Sequence, residues 1–263
     1  MKKRRVKVLT LVLLLLLSVY ILWENLSVGV TNYSLQEAEL PVSFDGYRIA
    51  HVSDLHNSRL WKQVIVILQA SNPDIICMTG DLVDFSHTNV DLALEFAAEA
   101  VKIAPCYYIT GNHELVLDGA QRERLFGGLE ELGVAVLQNR EVVLDSGSEQ
   151  ICLFGASWGS MAYMGDDTDR YRILLAHAPE DFALYASAEY DLVLSGHAHG
   201  GQFRIPFVGG LYAPGQGLLP RYDSGIYSDG RTDMVLSRGI GNSVIPIRFL
   251  NRPEVVLIEL KSA

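Results

Sequence analysis

Cysteine is scarce in this chain: there are three, Cys77, Cys106 and Cys152, each inside an apolar run and none in a C-x-x-C spacing. An odd, dispersed set reads as buried thiols rather than a disulfide framework or a thiolate metal site. No internal repeat at a long period and no low-complexity tract occurs, which argues against solenoids and disordered tails. Basic residues are also short in the body. Five of the 21 Lys and Arg residues but only one of the 31 acids fall in residues 1–30, leaving 16 bases against 30 acids beyond. So acidic a body lacks the basic stripe that grips nucleic-acid phosphates, and no nucleic-acid partner is expected. It suits a protein that collects divalent cations. Finally, His113-Glu114-Leu115-Val116-Leu117 lacks the second histidine of H-E-x-x-H, which excludes a zincin.

With 263 residues, 49% of them hydrophobic, the chain can bury one sizeable core, or one domain plus a short appendage. The appendage is N-terminal. A basic end (residues 1–7: Lys2, Lys3, Arg4, Arg5, Lys7) precedes a stretch, residues 8–23, whose only polar side chains are Thr10, Ser18 and Tyr20. About 20 apolar residues span a bilayer comfortably, so this stretch is short and a signal peptide competes with an anchor. No A-x-A-like cleavage site follows, and no cysteine that would allow lipoprotein processing. An uncleaved single-pass anchor is therefore expected, with the basic end cytoplasmic and the body outside. The alternative is secretion after cleavage. Residues 24–43 are expected to connect this segment to one folded domain, residues 44–263.

Along that domain, apolar runs at 48–52, 75–79, 106–110, 173–176 and 192–195 predict buried strands. Helical patterns at 59–70, 89–103 and 119–132 separate the early ones, and Pro73 and Pro105 close the first two. Further strands are predicted at 134–137, 141–144, 150–156, 232–237 and 254–260. The expected fold is α/β: two mixed sheets packed as a sandwich with helices outside. Each of the first five runs leads directly to a potential ligand: Asp54, Asp81, Asn112, His177 and His197. Ligands in α/β sheets bind beyond the carboxyl ends of strands, so five such ends point to one place. His56 and His199 follow two residues after a member of the set and project to the same side. Taken singly, a D-x-H is a turn, a G-D a strand end and an N-H a helix cap. It is their joint order at strand ends that points to metal.

These blocks, Asp54-Leu55-His56, Gly80-Asp81, Gly111-Asn112-His113-Glu114, His177 and Gly196-His197-Ala198-His199, resemble the calcineurin-like metallophosphoesterase superfamily over residues 44–260. Residues 196–206, residues 237–248 and Pro253-Glu254 are similar to motifs of its membrane-tethered bacterial phosphodiesterases. Ala198 stands where Thr or Ser is usual, at a position that points away from the metals. The resemblance implies one metal on Asp54, His56 and His199, a second on Asn112, His177 and His197, and Asp81 bridging. It sets His113 beside the metals. It further implies phosphate-ester substrates, and members acting on a UDP-diacylglucosamine precursor make a phospholipid or envelope precursor one expectation.

Two divalent ions about 3.5–4 Å apart neutralise phosphoryl oxygens and bring the pKa of a shared water towards neutrality, giving an in-line nucleophile. Neutral His and Asn with carboxylates, and no thiolate, suit Mn²⁺, Fe or Zn²⁺; Ca²⁺ favours an all-oxygen shell. His113 is the expected catalytic group, protonating the leaving oxygen or stabilising the five-coordinate phosphorus. Asp84 and Glu114 are expected to orient ligands from behind. Arg204, Arg238 and Arg248 are candidates to bind substrate phosphate, with structural ion pairs as the alternative. His51 reads as a core histidine and His87 as a loop residue. Two rivals stand. Gly155-Ala156-Ser157-Trp158-Gly159 matches a G-x-S-x-G nucleophile elbow, with Asp191 and His197 or His199 downstream, but residues 160–169 show no helical period to follow it. The other is a non-catalytic metal- or lipid-binding surface protein, for which the apolar loop 207–220 would be the contact.

Overall fold

The computed structural model describes residues 2–160, 169–242 and 245–263. Helix α1 (Lys2–Asn25) leads to strand β1 (Gly29–Glu37) and then to β2 (Arg48–Val52), α2 (Trp61–Ser71), β3 (Ile75–Met78), α3 (Val90–Ala100) and β4 (Cys106–Tyr108). The short α4 (Asn112–Leu115), α5 (Gly119–Glu131) and β5 (Ala135–Val136) follow. The second half runs through β6 (Arg140–Ser146), β7 (Glu149–Gly155), β8 (Arg172–Leu175), α6 (Phe182–Ser187) and β9 (Leu192–Ser195). Two small hairpins come next, β10 (Arg204–Ile205) with β11 (Gly209–Gly210) and β12 (Tyr212–Ala213) with β13 (Gly217–Leu218). The chain closes with β14 (Gly225–Ser228), β15 (Asp233–Leu236) and β16 (Glu254–Ser262).

Two six-stranded mixed sheets result, in the orders β1-β16-β2-β3-β4-β5 and β14-β15-β9-β8-β7-β6. The strands β2 to β5 are parallel neighbours, as are β7, β8, β9 and β15. Alternation along each strand assigns side chains to layers. Ile49, Ile75, Cys77, Ile173, Leu175, Leu192 and Leu194 share one apolar cluster between the sheets. Their sequence neighbours Ala50, Ile76 and Met78 face α2, α3 and α5, and Leu174 and Val193 face α6. The expected sandwich with outer helices is what the chain forms. Helix limits follow local chemistry: Asn89 and Asp118 cap α3 and α5 by accepting from the N–H of Leu92 and Gln121. Helix α2 stops at Asn72, which turns left-handed just before Pro73.

The expected connector, residues 24–43, needs correcting. Gly29–Glu37 is strand β1, paired parallel to β16 along its whole length. Its sequence, GVTNYSLQE, is polar because one face is solvated, so it shows no apolar run. Helix α1 also exceeds the apolar stretch. Its 24 residues extend about 36 Å, long and apolar enough to cross a membrane.

Candidate metal centre

The parallel order of β2, β3 and β4 in one sheet, and of β8 and β9 in the other, brings five carboxyl ends to one rim. The turns beyond them are stitched together: Asp54 N–H donates to the Gly80 carbonyl and His56 N–H to that of Asp81, at 3.1 and 3.0 Å. Asp54, His56, Asp81, His197 and His199 all adopt left-handed backbone, φ 43–68°. For non-glycine residues this costs of order 1 kcal/mol each, a concentration of strain typical of working sites. Glycine is required between them. A Cβ on Gly111 would lie 2.2 Å from Asp81 Oδ1, and one on Gly80 2.5 Å from the Gly111 nitrogen.

The donors face one another. Asp81 Oδ2 lies 3.2 Å from His177 Nε2, 3.5 Å from His56 Nε2 and 3.9 Å from His113 Nε2. Asp54 Oδ1 lies 3.6 Å from His199 Nε2 and 3.9 Å from His56 Nε2. Ligand atoms of Asp54, His56 and His199 form one group and those of Asp81, His177 and His197 another, each within 4.8 Å. Every one of these six residues is buried. Asn112 Oδ1 is buried with no hydrogen-bond partner among the described residues, and His177 Nε2 is buried facing the Asp81 carboxylate. An orphaned oxygen among carboxylates and imidazoles fits divalent metal ions, which would be held by these side chains.

Surrounding groups fix the orientation of these side chains. His177 Nδ1 donates to the Thr79 carbonyl at 2.5 Å, which leaves Nε2 facing inward. Asp84 Oδ2 lies 3.5 Å from His56 Nδ1 and 3.7 Å from His113 Nδ1. Glu114 accepts from the N–H groups of Asp81, Gly111 and Val83, locking the loops after β3 and β4 together. Asp81 Oδ1 accepts from His113 N–H and both Asp54 oxygens from His197 N–H. Phe85 N–H donates to His113 Nδ1 at 3.1 Å. A neutral His113 ring therefore carries its proton on Nε2, the nitrogen directed at Asp81.

Electrostatics follow from burial opposed by charge. Burial would raise Asp54 and Asp81, yet His199 and His177 pull the first below the usual carboxylate range, and His177 and His56 the second. Burial would lower His177, but Asp81 and Asp54 carry it up to about 10. Burial wins at His197 and His199, which fall to about 4 and about 3. It also pushes Glu114, beside Asp81, up to about 7. Protons on His177 thus occupy the charge-balancing role that a cation takes when bound.

The three arginines each meet partners within the protein, which is the structural alternative of the expectation. Arg248 is fully buried and donates to the carbonyls of Gly241 and Arg238 and to Asn242 Oδ1, with Nη2 3.4 Å from His199 Nδ1. Arg238 pairs with Glu254 and Arg204 with Asp223, at 2.5 and 3.2 Å. Their partners are brought near only by folding. The elbow reading fails as well: after Ser157 the chain makes a turn, Ser160 N–H returning to the Ser157 carbonyl. Asp191 sits at the start of β9, opposite the end that leads to His197, and accepts from Arg172 N–H. Residues 161–168 of the stretch following the elbow, and Ser243 and Val244 of the 237–248 motif, lie outside the described residues. His51 is a core residue bonded to Thr79, and His87 is an exposed loop residue. Ala198 packs into the α6-side core. Sequence reasoning missed Trp158, whose ring lies 4.8 Å from that of His197 and 5.4 Å from that of His177. It also missed Asn251, which donates to the carbonyls of His199 and Gln202. A tryptophan inside the G-A-S-W-G run was the one available signal for the first.

Buried carboxylates and imidazoles gathered beyond the strand ends of two packed sheets are the build of a metal-dependent hydrolase. A family model described as calcineurin-like phosphoesterase matches residues 47–201. The chain is 32% identical over 253 residues to the uncharacterized metallophosphoesterase YkuE of Bacillus subtilis, covering 89% of this chain and 86% of that protein. It is 31% identical over 230 residues to phosphodiesterase YaeI of Escherichia coli, covering 81% and 82%. A transmembrane protein with metallophosphoesterase domain from Danio rerio is 29% identical over 261 residues, covering 89% of this chain and 57% of that protein. The chain belongs to the calcineurin-like phosphoesterase family and is a hydrolase of phosphoric ester bonds. Membership displaces the serine-hydrolase and non-catalytic alternatives.

Proposed function

We propose that the chain is a dinuclear phosphodiesterase or phosphomonoesterase. One divalent ion (Mn²⁺, Fe or Zn²⁺) sits on Asp54, His56 and His199, a second on Asn112, His177 and His197, and Asp81 is shared. The observation that carries this reading is the position of Asp81 Oδ2, within 3.5 Å of imidazoles from both donor groups. When bound, the ions supply Lewis acidity to the phosphoryl oxygens and make a water acidic enough to attack near neutral pH. The protein's own part is orientation and hydrogen bonding. His113 offers Nε2–H towards the centre, while its Nδ1 already accepts from Phe85 N–H. Protonation at Nδ1 would break that bond, and burial pushes the ring's pKa down. His113 therefore acts as a neutral donor to the leaving oxygen or to an oxygen of the five-coordinate phosphoryl group, which supports stabilisation over full proton transfer.

In this reading α1 is an uncleaved anchor with the catalytic domain on the extracytoplasmic side, and the substrate is a phospholipid or envelope-precursor ester. Support for the anchor comes from its length and from its docking on the domain, where Glu24 is 2% exposed. The test is hydrolysis of bis(p-nitrophenyl) phosphate by the full chain in detergent. Turnover should vanish after EDTA dialysis and return with Mn²⁺. Turnover that ignores EDTA, or none with any divalent metal, would sink the proposal.

A further inference from the structure

The foot of α1 does not hang from a free tether. Glu24 accepts from the N–H groups of Leu250 and Asn251, at 2.9 and 2.6 Å. Asn25 exchanges two hydrogen bonds with the Arg248 backbone, and the Arg252 guanidinium stacks 4.7 Å over the Trp23 ring. The same short segment holds the site, since Asn251 Nδ2 donates to the His199 carbonyl. Gln202 clasps it from the other side, donating to the Ile245 and Ile247 carbonyls.

Beside this foot the hairpin loops expose apolar side chains, around a hollow that Arg204, Arg221 and Asp223 also line. Phe207 is fully exposed, Leu218 80%, Leu219 64% and Val208 59%. Phe207, Val208 and Leu250 line this hollow of about 600 Å³, so the hairpin loops are continuous with the segment that grips α1. Phe207, Leu219 and Leu250 are in addition held at φ 68, 51 and 53°. Phe207 and Leu219 are apolar, strained and exposed at once, and such patches mark contact surfaces. Trp23 and Arg252 at the same level are the residue types that sit at a membrane–water boundary.

We infer that this face, the loops at 205–219 and 245–250, rests in the headgroup boundary of the bilayer that α1 enters. The catalytic domain is then held against the membrane at two places, α1 and the hairpin loops, with His199 one residue layer behind the contact. Bilayer lipid is the occupant because α1, an apolar helix ending on this same surface, brings the membrane to it. The contact is independent of which ester is cleaved, so an inactive preparation still tests it.

The experiment uses the full chain in phosphatidylcholine vesicles and compares Phe207→Trp with Val42→Trp, Val42 being 74% exposed and lying past the end of β1 remote from α1. With lipid brominated on its acyl chains, the emission added at position 207 should fall about two-fold, while that added at 42 stays unchanged. Placing Leu219→Asp beside Phe207→Trp should restore much of the lost emission. Equal emission at 207 in brominated and plain lipid, or equal quenching at 42, overturns the inference. So does disulfide cross-linking between copies through Phe207→Cys in place of quenching, which would make a second chain the occupant. Extraction of the chain by alkaline carbonate removes α1 from the bilayer and overturns it too.

Discussion

Replacing Arg248 by Met separates two roles for a buried cation. The guanidinium is fully buried and bonds to two backbone carbonyls and one side-chain oxygen, and burial lowers its pKa to about 10. Methionine keeps much of the volume but leaves the Gly241 and Arg238 carbonyls and Asn242 Oδ1 without their donor. An unsatisfied buried acceptor costs about 1–3 kcal/mol, and relief from burying a charge offsets part of the total. A net loss of about 3 kcal/mol is expected, which for a domain of this size lowers Tm by about 6–12 °C. Because Gly241 backs the D-x-H turn through its N–H bond to the Asp54 carbonyl, metal retention should fall as well. The assay is thermal unfolding with and without Mn²⁺, alongside steady-state hydrolysis of bis(p-nitrophenyl) phosphate. A Tm within about 2 °C of wild type, together with a raised KM and unchanged metal content, would show that Arg248 reaches substrate and that its structural assignment is wrong.

Asp81→Asn and His197→Ala should each lose bound metal, read by elemental analysis of the purified protein, and with it turnover; full metal content in Asp81→Asn would contradict its shared position. His113→Ala should keep metal and lose about 10²–10⁴ in kcat, most on esters with poor leaving groups, and near-wild-type turnover on those would end its catalytic assignment. Metal uptake must displace the proton that Asp81 and Asp54 hold on His177, whose pKa is raised to about 10. Apparent affinity should therefore climb about tenfold per pH unit for each proton released between pH 6 and 8, and calorimetry in buffers of different ionisation enthalpy counts those protons. Zero release would refute it. Stability of the metal-free fold depends on pH in the same direction at two histidines. His197 and His199, lowered to about 4 and about 3, favour the folded state above the unfolded value of 6.5 and lose that contribution as pH falls towards their folded values. Acid unfolding monitored by circular dichroism should begin below pH 6.5.

Legibility in the sequence tracked how much each feature depends on local pattern. Strands β2, β3 and β9 are buried on both faces, so continuous apolar runs announced them, and the polar residue ending each run was the candidate ligand. Strand β1 was illegible because an edge strand with one wet face alternates weakly and reads as a linker. The arginines were ambiguous for a different reason. A guanidinium looks the same in sequence whether it meets phosphate or a carbonyl, and the Gly241 and Arg238 acceptors of Arg248 come within reach only by tertiary folding. Orientation was likewise hidden: the proton on His113 Nε2 depends on an N–H from Phe85, 28 residues away. Trp158 was set aside with a serine motif whose chemistry the fold does not support.

The place of β16 has a consequence for biosynthesis. It lies between β1 and β2, so two strands made early are separated by a slot that only residues 254–262 fill. Until residues 254–262 have emerged from the ribosome, the first sheet is in two pieces and β1 has no partner. Local helices and the β2–β4 strands can form as they emerge, but the edge that adjoins α1 closes last. Deleting residues 254–262 therefore leaves β1 and β2 as two open edges, the state most exposed to wrong pairing.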